Sequence, residues 1–332
     1  MDDKRALLYC AGGGIGDSLV ASIVARALRQ RFSSVDALTL RGHLELLERV
    51  PDVDRVFVDE GDEGALAKRI AREEYAACVV TWATSRTAAV PWQAGIPVRV
   101  GQARRFYSYR FTTRVVVRSE RGDVTSHWSD VLLDFARAIG CDTDDRRYRF
   151  SPTPRDEADA ARIADGLGSF ILLNPCNAIA ARRRWPVEGW ATLAAALRER
   201  YGAKVLVSGS PADAPLAEAI VARVAGRDGI VSIAGRTSVG SFGALARRAR
   251  AFVGITTGSM HVAAAVGCPT VGIFPFQSDY PERWSPLGDR TAIVRASYPC
   301  HRGDTKERCR DYACIEHPDR ARILAAADSL VS

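Results

Sequence analysis

Two short segments of the chain combine glycines with polar side chains in the way that ligand-binding loops do. One of them lies between an apolar run and a small-residue stretch that favours a helix, and it consists of Thr256, Thr257, Gly258, Ser259, Met260 and His261. The first turn of a helix presents backbone N–H groups without intrahelical partners, with the positive end of the helix dipole behind them. This segment therefore predicts a phosphate-binding loop, with an ordinary helix cap as the alternative.

The other segment follows the first apolar run of the chain and ends in an acid. Four glycines fall between residues 12 and 16, so backbone can approach a substrate closely, and Asp17 stands in the first turn of the next helix. A carboxylate there is a candidate general base, although the helix dipole lowers its basicity, and a capping acid is the alternative. The glycines do not complete the dinucleotide-binding motif, because Asp17 stands where the third glycine belongs.

The rest of the chain indicates which elements must position these two segments. Short apolar runs alternate with longer stretches rich in alanine, leucine and arginine, which is typical of parallel sheets covered by helices. A proline-rich break at residues 151–154 separates two such series. Both glycine segments directly follow a strand, and ligands of open α/β sheets bind at the carboxyl ends of the strands. The sequence therefore predicts an α/β fold with two doubly wound domains.

The composition is that of a basic globular protein. The 332 residues carry a formal net charge of +7, and no apolar run approaches the roughly 20 residues that a membrane-spanning helix needs. The charged first residues lack the pattern of a signal peptide, so we expect a cytoplasmic protein. Arginine clusters at residues 99–118, 146–149 and 182–184 suit an acidic partner or are ordinary solvated surface. No nucleic-acid-binding motif accompanies them, so nucleic acid is not an expected partner.

An ordered series of motifs in the second half resembles the donor-binding half of glycosyltransferase family 9, which includes the ADP-heptose:lipopolysaccharide heptosyltransferases. The series runs through Asn174-Pro175, residues 182–186 (RRRWP), residues 205–213 (VLVSGSPAD), residues 233–238 (IAGRTS) and the segment 256–261. The first strand with the glycine segment and Asp17 resembles the opening of the same family. The similarity extends from about Leu7 to the last helix.

This resemblance implies a GT-B fold, in which two Rossmann-like doubly wound domains face each other across a cleft. It divides the chain into an acceptor-binding domain (1–152), a linker helix (153–168), a domain that binds the nucleotide-sugar donor (169–317) and a last helix (318–332) that packs back on the first domain. The implied activity is inverting transfer of a heptose or related sugar from an ADP-activated donor to an acceptor hydroxyl, with lipopolysaccharide inner core as the expected acceptor. The implied partners are an ADP-sugar donor and an acidic sugar or glycolipid acceptor, with peripheral inner-membrane association and no cofactor or metal.

The resemblance also implies roles for particular residues. Asp17 corresponds to the catalytic base of the family. The donor site is expected to contain Asn174, Arg183, Arg184, Asp213, Thr256, Thr257, Gly258, Ser259, Met260 and His261. The acceptor site is expected on loops of the first domain, with Gly14, Arg86, Arg104 and Arg105. A capping role for Asp213 and a packed position for His261 are the alternatives.

Two positions depart from the family pattern. Arg183 stands where the family usually has lysine, and a guanidinium can stabilise a leaving diphosphate with a different geometry. Thr256 stands where the family commonly has an acid that holds sugar hydroxyls. The sequence therefore defines the nucleotide of the donor better than its sugar.

Three of the eight cysteines gather near the end of the chain. Cys300, Cys309 and Cys314 lie near His301 and His317, which are residue types that bind zinc or iron. Their spacing matches no standard metal-binding motif, so we expect reduced packing cysteines, with a metal site as the alternative.

Other function classes remain open from the sequence. A nicotinamide-dependent oxidoreductase would need an acid at the end of the second strand to bind ribose, and residues 38–41 (LTLR) offer none. The sequence is also compatible with a non-catalytic nucleotide- or sugar-binding module, and with a related enzyme that acts on a protein or small-molecule acceptor.

Overall fold

Strands and helices alternate along the chain. The structure, a computed structural model, describes residues 4–175, 185–224, 228–276, 280–298, 309, 314 and 319–331. The strands are β1 Arg5–Tyr9, β2 Ser34–Thr39, β3 Val56–Val58, β4 Ala77–Val80, β5 Val98–Gln102, β6 Thr113–Val115, β7 Phe170–Asn174, β8 Lys204–Val207, β9 Ile230–Ser232, β10 Phe252–Ile255, β11 Thr270–Phe274 and β12 Thr291–Arg295. The helices are α1 Ile15–Leu28, α2 Leu44–Leu47, α3 Glu63–Ala71, α4 Ser85–Gln93, α5 Trp128–Arg137, α6 Pro154–Ala164, α7 Val187–Tyr201, α8 Ala214–Arg223, α9 Val239–Arg248, α10 Gly258–Ala265, α11 Pro281–Trp284 and α12 Arg320–Val331.

The chain divides into two compact units between Ser151 and Pro152. Each unit contains a six-stranded parallel sheet, with the orders β3-β2-β1-β4-β5-β6 and β12-β11-β10-β7-β8-β9. Both orders are those of the Rossmann fold, in which the direction of winding reverses between the first and the fourth strand of the sheet. The predicted α/β fold with two doubly wound domains is therefore confirmed.

The strands are buried on both faces because helices cover each sheet. The residues with no exposed surface include Leu7, Tyr9 and Leu38 in the core of the first unit, and Ile171 and Val205 in the core of the second. Parallel strands that are buried on two sides read as continuous apolar runs rather than as alternating patterns. This is why the strand positions could be read from the sequence.

Each sheet brings two loops together at the carboxyl ends of its central strands. In the first unit the loop after β1 meets the loop after β4, where a Cβ on Gly12 would lie 2.2 Å from ring carbons of Trp82. In the second unit β10 runs beside β7, and a Cβ on Gly254 would lie 2.8 Å from the carbonyl oxygen of Asn174. Glycine at these two positions lets the neighbouring segments approach each other closely. Open α/β sheets bind ligands at such reversal points.

Both helices that the predicted division sets apart, the linker helix and the last helix, belong to the second unit. Helix α6, expected as a linker, belongs to the second unit, where Glu157 accepts hydrogen bonds from Arg247 and Arg248 of α9. Helix α12, which was expected to pack back on the first domain, buries Ile323 and Ala327 in the core of the second unit.

Part of the first domain that was expected as a loop, around Arg86, is regular structure. Helix α4 begins with a capping box, in which the Thr84 hydroxyl accepts from Thr87 N–H and the Thr87 hydroxyl accepts from Thr84 N–H. Pro91 obscures the helix in the sequence because proline disfavours helix interiors. In the structure Pro91 lies inside the helix, in its second half.

Candidate functional site

The glycine segment holds Asp17 by two reciprocal backbone contacts. Asp17 is the third residue of α1, and its Oδ2 accepts a hydrogen bond from Gly14 N–H at 2.6 Å while Asp17 N–H donates to Gly14 O at 3.0 Å. Gly13 has a φ of +70°, and a Cβ there would lie 2.5 Å from Asp17 Oδ2. The capping role that the sequence left open for Asp17 is therefore present, and Gly13 is needed for it.

The surroundings of Asp17 make its carboxylate more basic than an exposed one. Burial raises the pKa of Asp17, and the Gly14 N–H group and the nearby His43 act in the opposite direction without cancelling the effect. Burial also lowers the pKa of His43, and the charge of Asp17 acts in the opposite direction without cancelling the effect. A half-buried carboxylate with a raised pKa at the reversal point of the sheet is suited to accept a proton.

His43 is a neighbour of Asp17 that the sequence analysis missed. Its Nδ1 lies 2.8 Å from the hydroxyl oxygen of Ser18, the residue after Asp17, and both side chains are buried. His43 ends a short 3₁₀ turn beyond the carboxyl end of β2. In the sequence, the only signal for His43 is its place just after β2, the strand that pairs with β1.

Arg86, which was predicted at the acceptor site, has its guanidinium paired with a buried carboxylate. Its two terminal nitrogens contact both carboxylate oxygens of Asp59, at 2.6 Å for Nη1–Oδ2, and its Nε donates to Gly61 O. Asp59 is buried and also accepts a hydrogen bond from Tyr9 OH at 2.5 Å. Burial raises the pKa of Asp59, but the hydrogen bonds from Arg86, Tyr9 and Gly61 N–H outweigh it and leave the pKa below its ordinary value. Arg86 thus joins α4 to the end of β3, and its place at the acceptor site stays a prediction.

The other predicted acceptor residues lie on the surface of the first unit. Gly14 is the N-cap of α1 and is exposed. Arg105 forms an ion pair with Glu120 at 2.8 Å, and Gln102 donates to the same carboxylate oxygen. Arg104 is exposed and has a φ of +58°, a left-handed conformation that non-glycine residues seldom adopt.

A cavity of about 340 Å³ lies beside the glycine segment. It is lined by Thr81, Trp82, Ala83, Gln102, Arg105, Val117, Ser119, Trp128, Val131, Leu132 and Phe135. Trp82 is shared between the cavity and the glycine segment, because its ring packs on Gly12. Two tryptophans with an arginine and a glutamine at the rim form a mainly apolar pocket with a few polar groups, which is usual for a small-ligand site.

The predicted phosphate loop forms the start of α10 in the second unit. Thr257 is the N-cap, and Gly258 and Ser259 are the first two helical residues. The Thr257 hydroxyl donates to Ile255 O at 3.2 Å and lies 2.7 Å from the Ser259 hydroxyl. Thr256 to Ser259 are partly exposed, so first-turn N–H groups and two hydroxyls share one small surface. This arrangement can bind an anion.

The side chains of Met260 and His261 point away from that surface. Met260 is fully buried, and its sulfur packs on Gly272, where a Cβ would lie 2.6 Å from Sδ. His261 is also buried, in agreement with the alternative of a packed histidine. The two residues can therefore contribute to the predicted donor loop through their backbone, and their place in the donor site stays a prediction.

Asn174 and Asp213 organise the same edge of the second sheet. Asn174 is buried at the end of β7, and its Nδ2 donates to the Ser208 hydroxyl at 3.2 Å, which joins the ends of β7 and β8. Asp213 Oδ2 accepts from Ser210 N–H at 3.0 Å and from the Ser210 hydroxyl at 2.5 Å. Asp213 therefore stabilises its own turn, in agreement with the capping alternative.

Some predicted site residues lie outside the described residues. Arg183 and Arg184 are among them, and the next residue, Trp185, is buried with its ring centroid 4.3 Å from that of Trp190. Of the residues near the end of the chain, the structure describes Cys309 and Cys314 but not Cys300, His301 or His317. Within the described part of the chain, no three metal-binding side chains come together.

A family model described as glycosyltransferase family 9 (heptosyltransferase) matches residues 64–313. The chain belongs to glycosyltransferase family 9. Among curated relatives, it is 22% identical over 301 residues to the lipopolysaccharide core heptosyltransferase OpsX of Haemophilus influenzae, covering 87% of this chain and 84% of that protein. It is 24% identical over 311 residues to lipooligosaccharide heptosyltransferase 2 of the same organism, covering 87% and 88%. The structure of E. coli ADP-heptose lps heptosyltransferase II superposes with a TM-score of 0.80 at 20% identity, covering 99% of this chain and 98% of that chain.

Membership of family 9 establishes that the protein is a glycosyltransferase enzyme. It excludes the oxidoreductase and the non-catalytic binding module that the sequence left open. The structural similarity confirms the GT-B fold. Among the helices that the structure describes, none is long and apolar enough to cross a membrane.

Proposed function

We propose that the protein transfers a heptosyl residue in the cytoplasm from an ADP-activated donor to a hydroxyl of the lipopolysaccharide inner core, with inversion at the anomeric carbon. The observation that carries this proposal is the family match over residues 64–313, since the matched range includes the predicted phosphate loop at residues 256–261 and most of both units. Relatives named as heptosyltransferases of lipopolysaccharide core and lipooligosaccharide support the donor and the acceptor class.

The donor diphosphate binds at the start of α10 in this proposal. Gly258 and Ser259 supply backbone N–H groups, and Thr257 and Ser259 supply hydroxyls. These groups are fixed before the ligand arrives, so they stabilise the charge that grows on the leaving ADP without reorganising. Thr256 offers the sugar a neutral hydroxyl, which binds it less strongly than a carboxylate would. Arg183 adds a cation to the same diphosphate.

The acceptor binds in the cavity of the first unit. The rings of Trp82 and Trp128 provide flat apolar surfaces for a sugar, and Arg105 provides a cation for an acidic substituent. Because Trp82 also packs on Gly12, a sugar on that ring lies next to the glycine segment and Asp17.

Asp17 acts as the general base. Its carboxylate takes the proton of the acceptor hydroxyl as the oxygen forms a bond to the anomeric carbon. The bond between that carbon and the diphosphate oxygen breaks on the opposite face, and ADP leaves with the electron pair. The proton then passes from Asp17 to solvent. One displacement with attack opposite the leaving group inverts the configuration.

The test is ADP release from ADP-heptose with three acceptors offered separately: inner-core glycolipid, a protein mixture and small sugars. The proposal expects acceptor-dependent ADP release with the glycolipid and a product of inverted anomeric configuration by NMR. ADP release only in the presence of a protein or small-molecule acceptor would show that the proposed acceptor is wrong. Nucleotide release only from another nucleotide sugar would show that the proposed donor is wrong.

A further inference from the structure

Positive charge is concentrated in one stretch of the first unit. Residues 75–119 contain no aspartate or glutamate, and their arginines are Arg86, Arg99, Arg104, Arg105, Arg110, Arg114 and Arg118. Three of these pair with acids from elsewhere in the unit, namely Asp59, Glu120 and Asp134. Within the described residues, no ion pair engages Arg104 or Arg110.

Large aromatic side chains project from the same stretch. Phe106 is 81% exposed and Tyr109 is 60% exposed on the 3₁₀ turn Phe106–Arg110, and Trp92 near the end of α4 is 46% exposed. The rings of Trp92 and Tyr109 meet edge to face at 6.5 Å, and the guanidinium carbon of Arg110 lies within 5.6 Å of both ring centroids. We call Trp92, Arg104, Phe106, Tyr109 and Arg110 the aromatic–arginine surface.

The exposure of these rings is built into a firmly held turn. Between the two exposed rings, Tyr107 and Ser108 are buried; Tyr107 OH donates to Ala83 O at 2.6 Å and the Ser108 hydroxyl donates to Gln102 O at 2.7 Å. Arg110 Nη1 donates to Ser85 O at 2.6 Å. The turn is thus anchored on α4 and β5 through its inward side chains, while Phe106 and Tyr109 face water.

This combination has the chemistry of a membrane interface. Aromatic rings partition to the boundary between lipid headgroups and acyl chains, and arginines beside them bind anionic headgroups. Trp92 and Tyr109 combine an apolar body with a polar tip, which suits that boundary. The lack of acids in the surrounding sequence leaves little to repel an anionic surface.

We propose that the aromatic–arginine surface docks the protein on an anionic phospholipid bilayer. Phe106 enters the headgroup region, and Arg104 and Arg110 contact lipid phosphates. Arg104 precedes Arg105 at the rim of the acceptor cavity, so docking brings that cavity to the bilayer. The benefit of docking for acceptor binding rests on the proposed glycolipid acceptor, whereas the binding of this surface to lipid does not.

Vesicle binding without any acceptor tests the proposal. The protein is sedimented with vesicles of phosphatidylglycerol and phosphatidylethanolamine, and with phosphatidylcholine vesicles, at two salt concentrations. We expect binding to the anionic vesicles that salt weakens. The double variant Phe106→Ser, Tyr109→Ser should bind about tenfold or more weakly, since it removes two exposed rings. Absence of wild-type binding to anionic vesicles, or equal binding to neutral ones, would overturn the proposal.

Matched controls separate docking from general loss of charge or apolar area. Tyr280→Ser removes a tyrosine of the second unit that is 47% exposed, and Arg162→Gln removes an exposed arginine of α6. Neither should change vesicle binding, and a loss equal to that of the double variant would refute the assignment of the surface. With a water-soluble inner-core oligosaccharide, the double variant should keep wild-type ADP release. A loss there would show that the surface binds acceptor sugar instead, whereas inactive wild-type protein in the same assay would refute only the proposed function.

Discussion

Replacing Asp17 by asparagine is the sharpest perturbation of the proposed mechanism. The substitution keeps the size of the side chain and leaves an amide oxygen that can still accept the hydrogen bond from Gly14 N–H, now 2.6 Å long. It removes the negative charge that accepts a proton. Asp17→Asn therefore separates a catalytic role from the capping role that the structure also shows.

The expected changes in stability and rate differ strongly in size. The favourable interaction of the Asp17 carboxylate with the helix dipole contributes roughly 0.3–1 kcal/mol, and the substitution removes it. The substitution also removes the cost of burying a charge, so the free energy of unfolding should change by about 1 kcal/mol or less. This corresponds to a melting-temperature shift of about 2–4 °C. General base catalysis contributes about 10²- to 10⁴-fold to the rate, which is about 2.7–5.4 kcal/mol of transition-state stabilisation.

The assay measures kcat and KM by ADP release and measures ADP affinity by calorimetry. ADP affinity should be unchanged, because the donor loop lies in the other unit. The matched control is Asp156→Asn: Asp156 is the third residue of α6 and accepts from Thr153 N–H at 2.7 Å in the same kind of capping box. This control should lose stability but not turnover. Near-normal turnover of Asp17→Asn, or an equal loss in the control, would refute the assignment of the base.

The pH dependence gives a second check on Asp17. A general base works when deprotonated, so activity should appear as the pH rises through the pKa of Asp17. Because burial raises that pKa, the acidic limb should lie above the ordinary aspartate value of 3.8. The raised pKa also means that the folded state binds this proton more tightly than the unfolded state, so ionisation of Asp17 costs stability as the pH rises. Asp17→Asn should abolish that part of the stability profile.

Three further outcomes are expected. Gly13→Ala and Gly95→Ala both place alanine at a φ near +70°, and each should lower the free energy of unfolding by about 1–2 kcal/mol. Only Gly13→Ala should lose turnover, since its Cβ meets the Asp17 carboxylate whereas a Cβ at Gly95 meets open space. Equal turnover of the two variants would show that the loop tolerates a displaced Asp17 carboxylate. Arg86→Ala should lower the free energy of unfolding by about 3 kcal/mol by leaving buried Asp59 unpaired, whereas a raised acceptor KM without lower stability would indicate an acceptor-binding role in place of the structural one. Arg183→Ala should weaken ADP binding by about 1.5–3 kcal/mol in calorimetry, and unchanged affinity would remove it from the donor site.

The alternation of apolar runs with helical stretches was sufficient to predict the fold class. Parallel strands are buried on both faces, so each is an uninterrupted apolar segment that needs no tertiary information to be recognised. The chain order of the motifs likewise identified the family. Helix α4 escaped prediction because Pro91 argues locally against a helix.

The sequence determined which residues gather at the two reversal points, because loops that follow strands of a parallel sheet meet at one edge. Only the tertiary structure decided what each side chain does there. It pairs Arg86 with Asp59, turns Met260 and His261 into the interior, and uses Asp213 to hold its own turn. Such partners lie far apart in the sequence or depend on the direction of one helix face. The spacing of residues along the chain indicates which loop or helix a residue occupies. The free energy of burying its charge or ring depends on neighbours that only folding brings together.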